Sequence, residues 1–303
     1  MKEFKSLVDL LKAFPDEQSC RDFVEKLRWN GKPECPHCKH NEVYKFKDGK
    51  LWKCKKCRKQ FTVKVGTIFE DSALPLIKWF MAMYLLTAHK KGISSLQLSK
   101  DIGITQKSAW HMLHRLRYAM TTKEFNKPLS NTVECDETYV GGKNKFKHWN
   151  KKSEGTGFQD KQAVFGMIER KGNVIALPVV KADAVTLVPI ILDNVDRNAT
   201  IMTDEFGGYY HLGKIYKEHG VINHQSKMYV RGEVHTQCID NFWSLLKRGI
   251  IGIYHQVSPK HLHRYCNEFA YRFNTKESSD VNRFAYTFSQ INGKLQYKTL
   301  INN

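Results

Sequence analysis

The architecture of this chain turns on the stretch Thr132-Val-Glu-Cys-Asp-Glu-Thr-Tyr-Val140, closed by Gly141-Gly142. Its β-branched and aromatic residues, free of proline and bounded by a glycine pair, predict a strand. Beyond it, the pattern predicts strands near 163–169 and 174–180, then a helix over 184–193. A short strand over 200–203 ends at Asp204, and a helix over 209–218 and a short strand over 221–223 follow. Helices over 240–250 and 259–274 close the region. Strands interleaved with helices in this order make an α/β domain.

Upstream the rhythm is helical. Residues 5–28 read as helix, interrupted by Pro15, and 74–88 as a strongly apolar helix with Pro75 in its first turn. A short helix from Ser94 ends near Gly103, and a second starts at the N-cap Thr105 and runs to about Met120. Ala109, Met112, Leu113 and Leu116 form the buried face of the second helix. Gly103 in the turn gives helix-turn-helix spacing, with Gln106, Lys107 and Trp110 near the front of the recognition helix. A plain helical hairpin is the alternative.

Four of the eight cysteines fall in two tight pairs, Cys35-Pro-His-Cys38 and Cys54-Lys-Lys-Cys57. Two such knuckles place four thiolates around one tetrahedral Zn²⁺. Alternation at Val43–Phe46 and Leu51–Lys53 around Asp48-Gly49 predicts a hairpin between them, which makes a zinc ribbon. His37 and His40 are not needed, because four sulfurs close the site. The other cysteines show no pairing pattern and suit a reduced, cytoplasmic protein.

The chain has 303 residues and a formal charge of +19, from 49 Lys+Arg against 30 Asp+Glu. Residues 1–125 carry +12 of it and 126–303 carry +7. Nucleic-acid phosphate is the natural partner of such an excess, through counterion release. The basic runs Lys53–Lys59 and Lys143–Lys152 are its densest parts, and Lys143, Lys145 and Lys147 are read as phosphate contacts. Trp52, Trp110 and Tyr139 could stack on unpaired bases, with packing as the plainer role. No apolar run reaches the ~20 residues of a membrane span, and the N-terminus lacks a signal-peptide core.

Three aspartates stand at the ends of predicted elements. Asp136 lies in the opening strand, Asp204 ends a short strand, and Asp240 opens a helix with Phe242, Trp243, Leu245 and Leu246 on its apolar side. Carboxylates from three elements can converge on hard cations such as Mg²⁺. A pair of such ions ~3.5–4 Å apart serves phosphoryl transfer. Each aspartate alone would read as a cap or surface residue. Strand alternation puts Glu134 on the Asp136 face and Glu137 opposite, and both are left outside the metal set. His235, His255, His261 and His263 gather near the third acid, where packing or phosphate contact is the simpler role.

At this point the chain resembles a DDE transposase of a bacterial insertion sequence, in the zinc-ribbon-bearing, ISXO-like branch. The blocks that carry the likeness are Arg58-Lys-Gln-Phe-Thr-Val-Lys-Val-Gly-Thr-Ile-Phe-Glu-Asp-Ser72, Lys91-Gly-Ile-Ser-Ser-Leu-Gln-Leu98 and Asp136-Glu-Thr-Tyr-Val-Gly-Gly-Lys143. His235-Thr-Gln-Cys-Ile-Asp-Asn-Phe-Trp-Ser-Leu-Leu-Lys-Arg-Gly249 and Tyr265-Cys-Asn-Glu-Phe-Ala-Tyr-Arg-Phe-Asn274 complete it. The resemblance implies a ribonuclease-H-like catalytic domain with two Mg²⁺ or Mn²⁺ ions. It implies Asp136 and Asp204 as the first two acids. The third position is usually Glu, and here Asp240 occupies it, about one methylene shorter, with Asn241 as a second choice. Lys247, about 10.5 Å along the same helix face as Asp240, is expected to touch DNA phosphate, with Arg248 a weaker candidate.

The expected organisation is an N-terminal helical segment over 1–30, a zinc ribbon over 31–67 and a helix-turn-helix region over 68–125. A ribonuclease-H-like domain over 131–275 and a C-terminal tail over 276–303 follow. The expected function is a transposase that binds terminal inverted repeats in double-stranded DNA, cuts a strand and transfers it, as a homo-oligomer in the synaptic complex. It would work in the cytoplasm, associated with the nucleoid. The rival is a catalytically decayed transposase acting as a sequence-specific DNA-binding protein, favoured by the non-Glu third acid. A zinc hydrolase is disfavoured, because a four-cysteine site keeps no open position.

Overall fold

The computed structural model describes residues 4–121, 127–141, 161–205, 207–222 and 235–302. They form two compact units, Met1–Met120 with Ser278–Asn303, and Thr121–Glu277.

In the first unit, the opening helical stretch is two helices, α1 (Leu7–Ala13) and α2 (Glu17–Trp29). The break falls at Pro15, which has no N–H to donate, and Asp16 starts α2 with a capping box shared with Ser19. The ribbon is a three-stranded antiparallel sheet of β1 (Val43–Lys45), β2 (Trp52–Cys54) and β3 (Gln60–Phe61). The helix α2 is docked on it. Glu25 accepts from Lys45 Nζ at 2.8 Å and from Trp52 Nε1 at 3.1 Å, and Trp29 stacks edge-on against Trp52 and Phe61.

Three helices follow, α3 (Leu76–Ala88), α4 (Ser95–Ile102) and α5 (Gln106–Ala119). Ser94 and Thr105 cap α4 and α5 with their side chains, and Gly103 ends α4 at a φ of 61°. The far half of α5 is largely buried, with His114, Arg115 and Arg117 enclosed among its leucines and Tyr118 exposed.

The segment expected as a C-terminal tail folds back into this unit as α9 (Asp280–Ser289) and α10 (Tyr297–Asn302). The cause is a pair of aromatic residues four apart. Phe284 and Phe288 lie on one face of α9 and enter an aromatic cluster with Phe4, Phe23 and Phe80, with ring centroids 4.5 Å apart for Phe80 and Phe288. The buried Arg115 guanidinium donates to Leu295 O, Ile68 O and Glu70 O, tying this returning segment to α5 and the turn after the ribbon.

The second unit is a mixed sheet covered by helices on both faces. Its strands are β4 (Thr132–Val140), β5 (Gln162–Glu169), β6 (Val174–Val179), β7 (Thr200–Asp204) and β8 (Glu218–Ile222), in the order β6-β5-β4-β7-β8. The central β5 runs antiparallel to both of its neighbours, β4 and β6, while β4, β7 and β8 run parallel. The predicted helix over 209–218 is instead a 3₁₀ segment, Gly207–Lys214, and Glu218 already belongs to β8. Gly213 weakens a helix there, and the open edge of β7 recruits the backbone that follows.

One face of the sheet, with Val133, Cys135, Phe165 and Met167, packs under α6 (Ala184–Asn194) and the 3₁₀ segment. The other, with Val140, Val164, Ile168 and Ala176, packs under α7 (Gln237–Gly249) and α8 (Pro259–Asn274). Even-numbered residues of β4 therefore face α7, and odd-numbered ones face α6.

Candidate active site and zinc centre

The two cysteine knuckles have the same backbone turn. Lys39 N–H donates to Cys35 O and Arg58 N–H to Cys54 O, and both Lys39 and Arg58 adopt positive φ, 59° and 62°. This brings the Sγ atoms of Cys35, Cys38, Cys54 and Cys57 within 4.8 Å of one another. Cys35 and Cys57 are 3.7 Å apart, and Cys38 and Cys54 are 3.6 Å apart. A tetrahedral zinc with Zn–S bonds of ~2.3 Å needs sulfurs about 3.8 Å apart, so the cage fits. His37 stands beside the cage with its ring edge-on to Phe61.

The acids gather at the α7 face of the second unit. The parallel register pairs Thr132 with Thr200, Val133 with Ile201 and Glu134 with Met202. Two residues past the last pair, Asp136 on β4 and Asp204 at the end of β7 project to the same face as Glu134 and Met202, toward α7. From α7, Trp243 Nε1 donates to Asp136 Oδ2 at 2.7 Å. Asp240 is exposed one turn earlier, close enough to act on Asp136 electrostatically.

This crowding shows in the carboxyl groups. Burial pushes Asp136 from its ordinary 3.8 up to about 6, against the opposing Trp243 hydrogen bond, and the charges of Asp240 and Asp204 push the same way. Burial likewise raises Glu137 from 4.5 to about 7, against the Tyr209 hydroxyl and with help from Asp136 and Asp204. Glu137 points to the α6 side, as alternation requires. Among the described residues the acids do not form a ligand set as tight as the cysteines. They are a cluster of hard oxygen donors whose mutual repulsion a cation would relieve.

The remaining expected residues are distributed as follows. Asn241, Lys247 and Arg248 are exposed on α7, with Arg248 Nε held by Ser244 O at 3.1 Å. Gln106 Nε2 donates back to Ser95 Oγ at 2.8 Å, Lys107 Nζ lies 5.3 Å from the Tyr297 ring centre, and Trp110 meets His114 edge-on. Trp52 is committed to Trp29 and Glu25, whereas Tyr139 is 39% exposed. Lys143, Lys145 and Lys147 lie outside the described residues.

Two contributors were not legible as site residues. Trp243 read as an apolar face residue, yet its indole N–H holds Asp136. Gly166, paired across the sheet with Asp136, makes room for it. A Cβ there would meet Trp243 Cη2 at 2.5 Å and Ile239 Cδ1 at 2.9 Å. Gly166→Ala is expected to destabilise the second unit by about 1–3 kcal/mol and to move Trp243 off Asp136. Urea unfolding followed by amide exchange of β4 and α7 measures it; unchanged protection of both elements would refute the packing argument.

An ISXO2-like transposase domain matches residues 128–274, and a transposase zinc-ribbon domain matches 15–60. The chain belongs to the ISXO2-like transposase family. The zinc-ribbon match of this transposase takes in α2 as well as the knuckles, in keeping with the docking of α2 on the ribbon. A protein in transposable element ISH50 of Halobacterium salinarum is 27% identical over 278 residues, covering 86% of this chain and 92% of that protein. A transposase-like protein of Haemophilus influenzae is 30% identical over 107 residues, covering 35% of this chain and 85% of its own. Among solved structures, the Mos1 strand transfer complex aligns over 70% of this chain and 74% of the other at 10% identity, with a TM-score of 0.30. A pre-cleavage Mos1 transpososome aligns over 71% and 79%, with a TM-score of 0.27. No described helix of this transposase is long and apolar enough to cross a membrane.

Proposed function

We propose that this transposase binds the terminal inverted repeats of its element and cuts and transfers DNA strands at the cluster of Asp136, Asp204 and Asp240. The observation that carries this reading is the convergence of the three acids. Asp136 and Asp204 project from neighbouring parallel strands to one face, and α7 carries Asp240 on that side while holding Asp136 through Trp243. The donors are carboxylate oxygens that repel one another, which suits Mg²⁺ or Mn²⁺. Two such ions held by Asp136, Asp204 and Asp240 would supply Lewis-acid stabilisation of the attacking and leaving oxygens.

The chain's own side chains do the rest. Trp243 fixes the Asp136 carboxylate, and Asp240 carries the third charge from the helix. Asp240, rather than Asn241, is the third ligand in this reading, because it is the α7 group whose charge reaches Asp136. Lys247 and Arg248, exposed two turns further on, would hold the DNA backbone that leads away from the acids. We read α4, its turn and α5 as the helix-turn-helix. Because most of the far half of α5 is buried, its first turn, with exposed Gln106 and Lys107, is the part that would meet DNA. Two chains would hold two ends together, in the cytoplasm of the host.

The test is a nicking and strand-transfer assay on an end-repeat duplex with Mg²⁺ or Mn²⁺. Nicks that expose a 3′-OH, followed by joined products, are expected. Tight end binding with no nick under either metal would overturn the enzymatic reading in favour of a decayed, DNA-binding transposase.

A further inference from the structure

Glu134 is fully buried on the α7 face of β4, two residues from Asp136. A carboxylate at 0% exposure survives only where charge and hydrogen bonds replace water, and its two oxygens have distinct partners. Oε1 accepts from Arg170 Nε at 2.8 Å, and His235 Nδ1 lies 3.2 Å from the same oxygen. Oε2 accepts the backbone N–H groups of Cys238 at 2.8 Å and Ile239 at 3.1 Å. These are free N–H groups of the first turn of α7. Thr236, the residue in the N-cap position, makes no side-chain cap bond. The cap of α7 is therefore supplied from the sheet, and a carboxylate suits the positive end of the helix. Arg170 completes the joint by donating from Nη2 to His235 O at 3.0 Å.

We infer that Glu134 is a positioning residue. By capping α7 from β4, it sets the height of Asp240 and Trp243 against Asp136, so that the three acids meet a cation at one level. Glu134 and Asp136 are rigidly spaced on one strand, and the capped N–H groups and Asp240 are rigidly spaced on one helix. The Oε2 bonds join the two rulers at one end, and the Trp243–Asp136 bond joins them at the other. This inference rests on the proposed role of the acids as cation ligands.

The test uses the full-length, zinc-loaded chain with Glu134→Gln and, as a milder change, Arg170→Lys. Arg170→Lys keeps a cation beside Glu134 but gives up the guanidinium bond to His235 O. Mn²⁺ affinity is read by electron paramagnetic resonance of free Mn²⁺, beside end-DNA affinity and the single-turnover nicking rate as a function of Mn²⁺. Glu134→Gln is expected to weaken Mn²⁺ binding and slow nicking at fixed metal by about 10–100-fold, as for other residues that orient metal ligands, with end-DNA affinity unchanged. Arg170→Lys should shift both in the same direction by a smaller factor. A merely structural Glu134 would lower the melting temperature and leave Mn²⁺ affinity of the folded fraction at the wild-type value, which overturns the inference. If Glu134→Gln does not fold, unchanged Mn²⁺ affinity in Arg170→Lys overturns it equally. If the wild-type chain binds no Mn²⁺ beyond what Asp136→Asn binds, the reading of the acids falls first and the positioning role with it.

Discussion

Cys54→Ser is expected to release the zinc and unfold the ribbon while the unit Thr121–Glu277 stays folded. The ribbon has little else to hold it. Its buried core is Cys35, Cys54 and Phe61, ringed by half-buried Trp29, Val43, Trp52 and Val65, and its strands are two or three residues long. So small a core does not offset the entropy of ordering the chain, whereas a structural zinc contributes roughly 10–16 kcal/mol to folding in small zinc modules. Serine removes a thiolate from a closed four-ligand site. Metal analysis should fall from one zinc per chain to nearly none. Amide exchange should become fast in Val43–Cys54 and speed up in the second half of α2, which leans on Trp52 and Phe61, while β4, β5 and β6 keep their protection. Retention of one zinc per chain would refute the four-cysteine assignment.

Asp136→Asn is expected to abolish strand cleavage, leave end binding intact, and stabilise the metal-free protein at alkaline pH. The last effect follows from the raised carboxyl. Below pH 3.8 Asp136 is protonated whether the chain is folded or unfolded, and it contributes nothing. Between 3.8 and about 6 the folded chain holds a proton that the unfolded chain gives up, so stability falls as pH rises. Above about 6 the full cost of the buried charge is present, at most about 3 kcal/mol. The variant should therefore melt higher than wild type at pH 8 without metal and at the same temperature near pH 3.5. Mg²⁺ or Mn²⁺ should narrow the gap at pH 8 by stabilising only the wild type. Loss of both folding and end binding on this substitution would make Asp136 a structural residue instead.

Much of this was written in local pattern. Cys-x-x-Cys twice, with a turn between, implies a tetrahedral cage whatever surrounds it, because the knuckle geometry is set within six residues. The strand Thr132–Val140 and the helices over 94–120 follow from short-range propensity and caps, and the structure has them where those signals lie. The failures were at longer range. Residues 276–303 carry two phenylalanines four apart, but nothing local says that their partners are Phe4, Phe23 and Phe80, more than two hundred residues away. The helix expected over 209–218 does not form because the edge of β7 competes with a weak helix for the same backbone.

Residue types and spacing alone established the ribbon, the α/β order and the three aspartates as candidates. Which carboxylate does what came from tertiary contact alone. Glu134 and Asp136 are identical to strand alternation, both even-numbered and both facing α7. Only the packed helix distinguishes them, by directing its backbone N–H groups at one and an indole N–H at the other. Alternation is a property of one strand, whereas a carboxylate's role depends on which donors a distant element brings to it. Those donors, Trp243 and the first turn of α7, lie more than a hundred residues further along the chain.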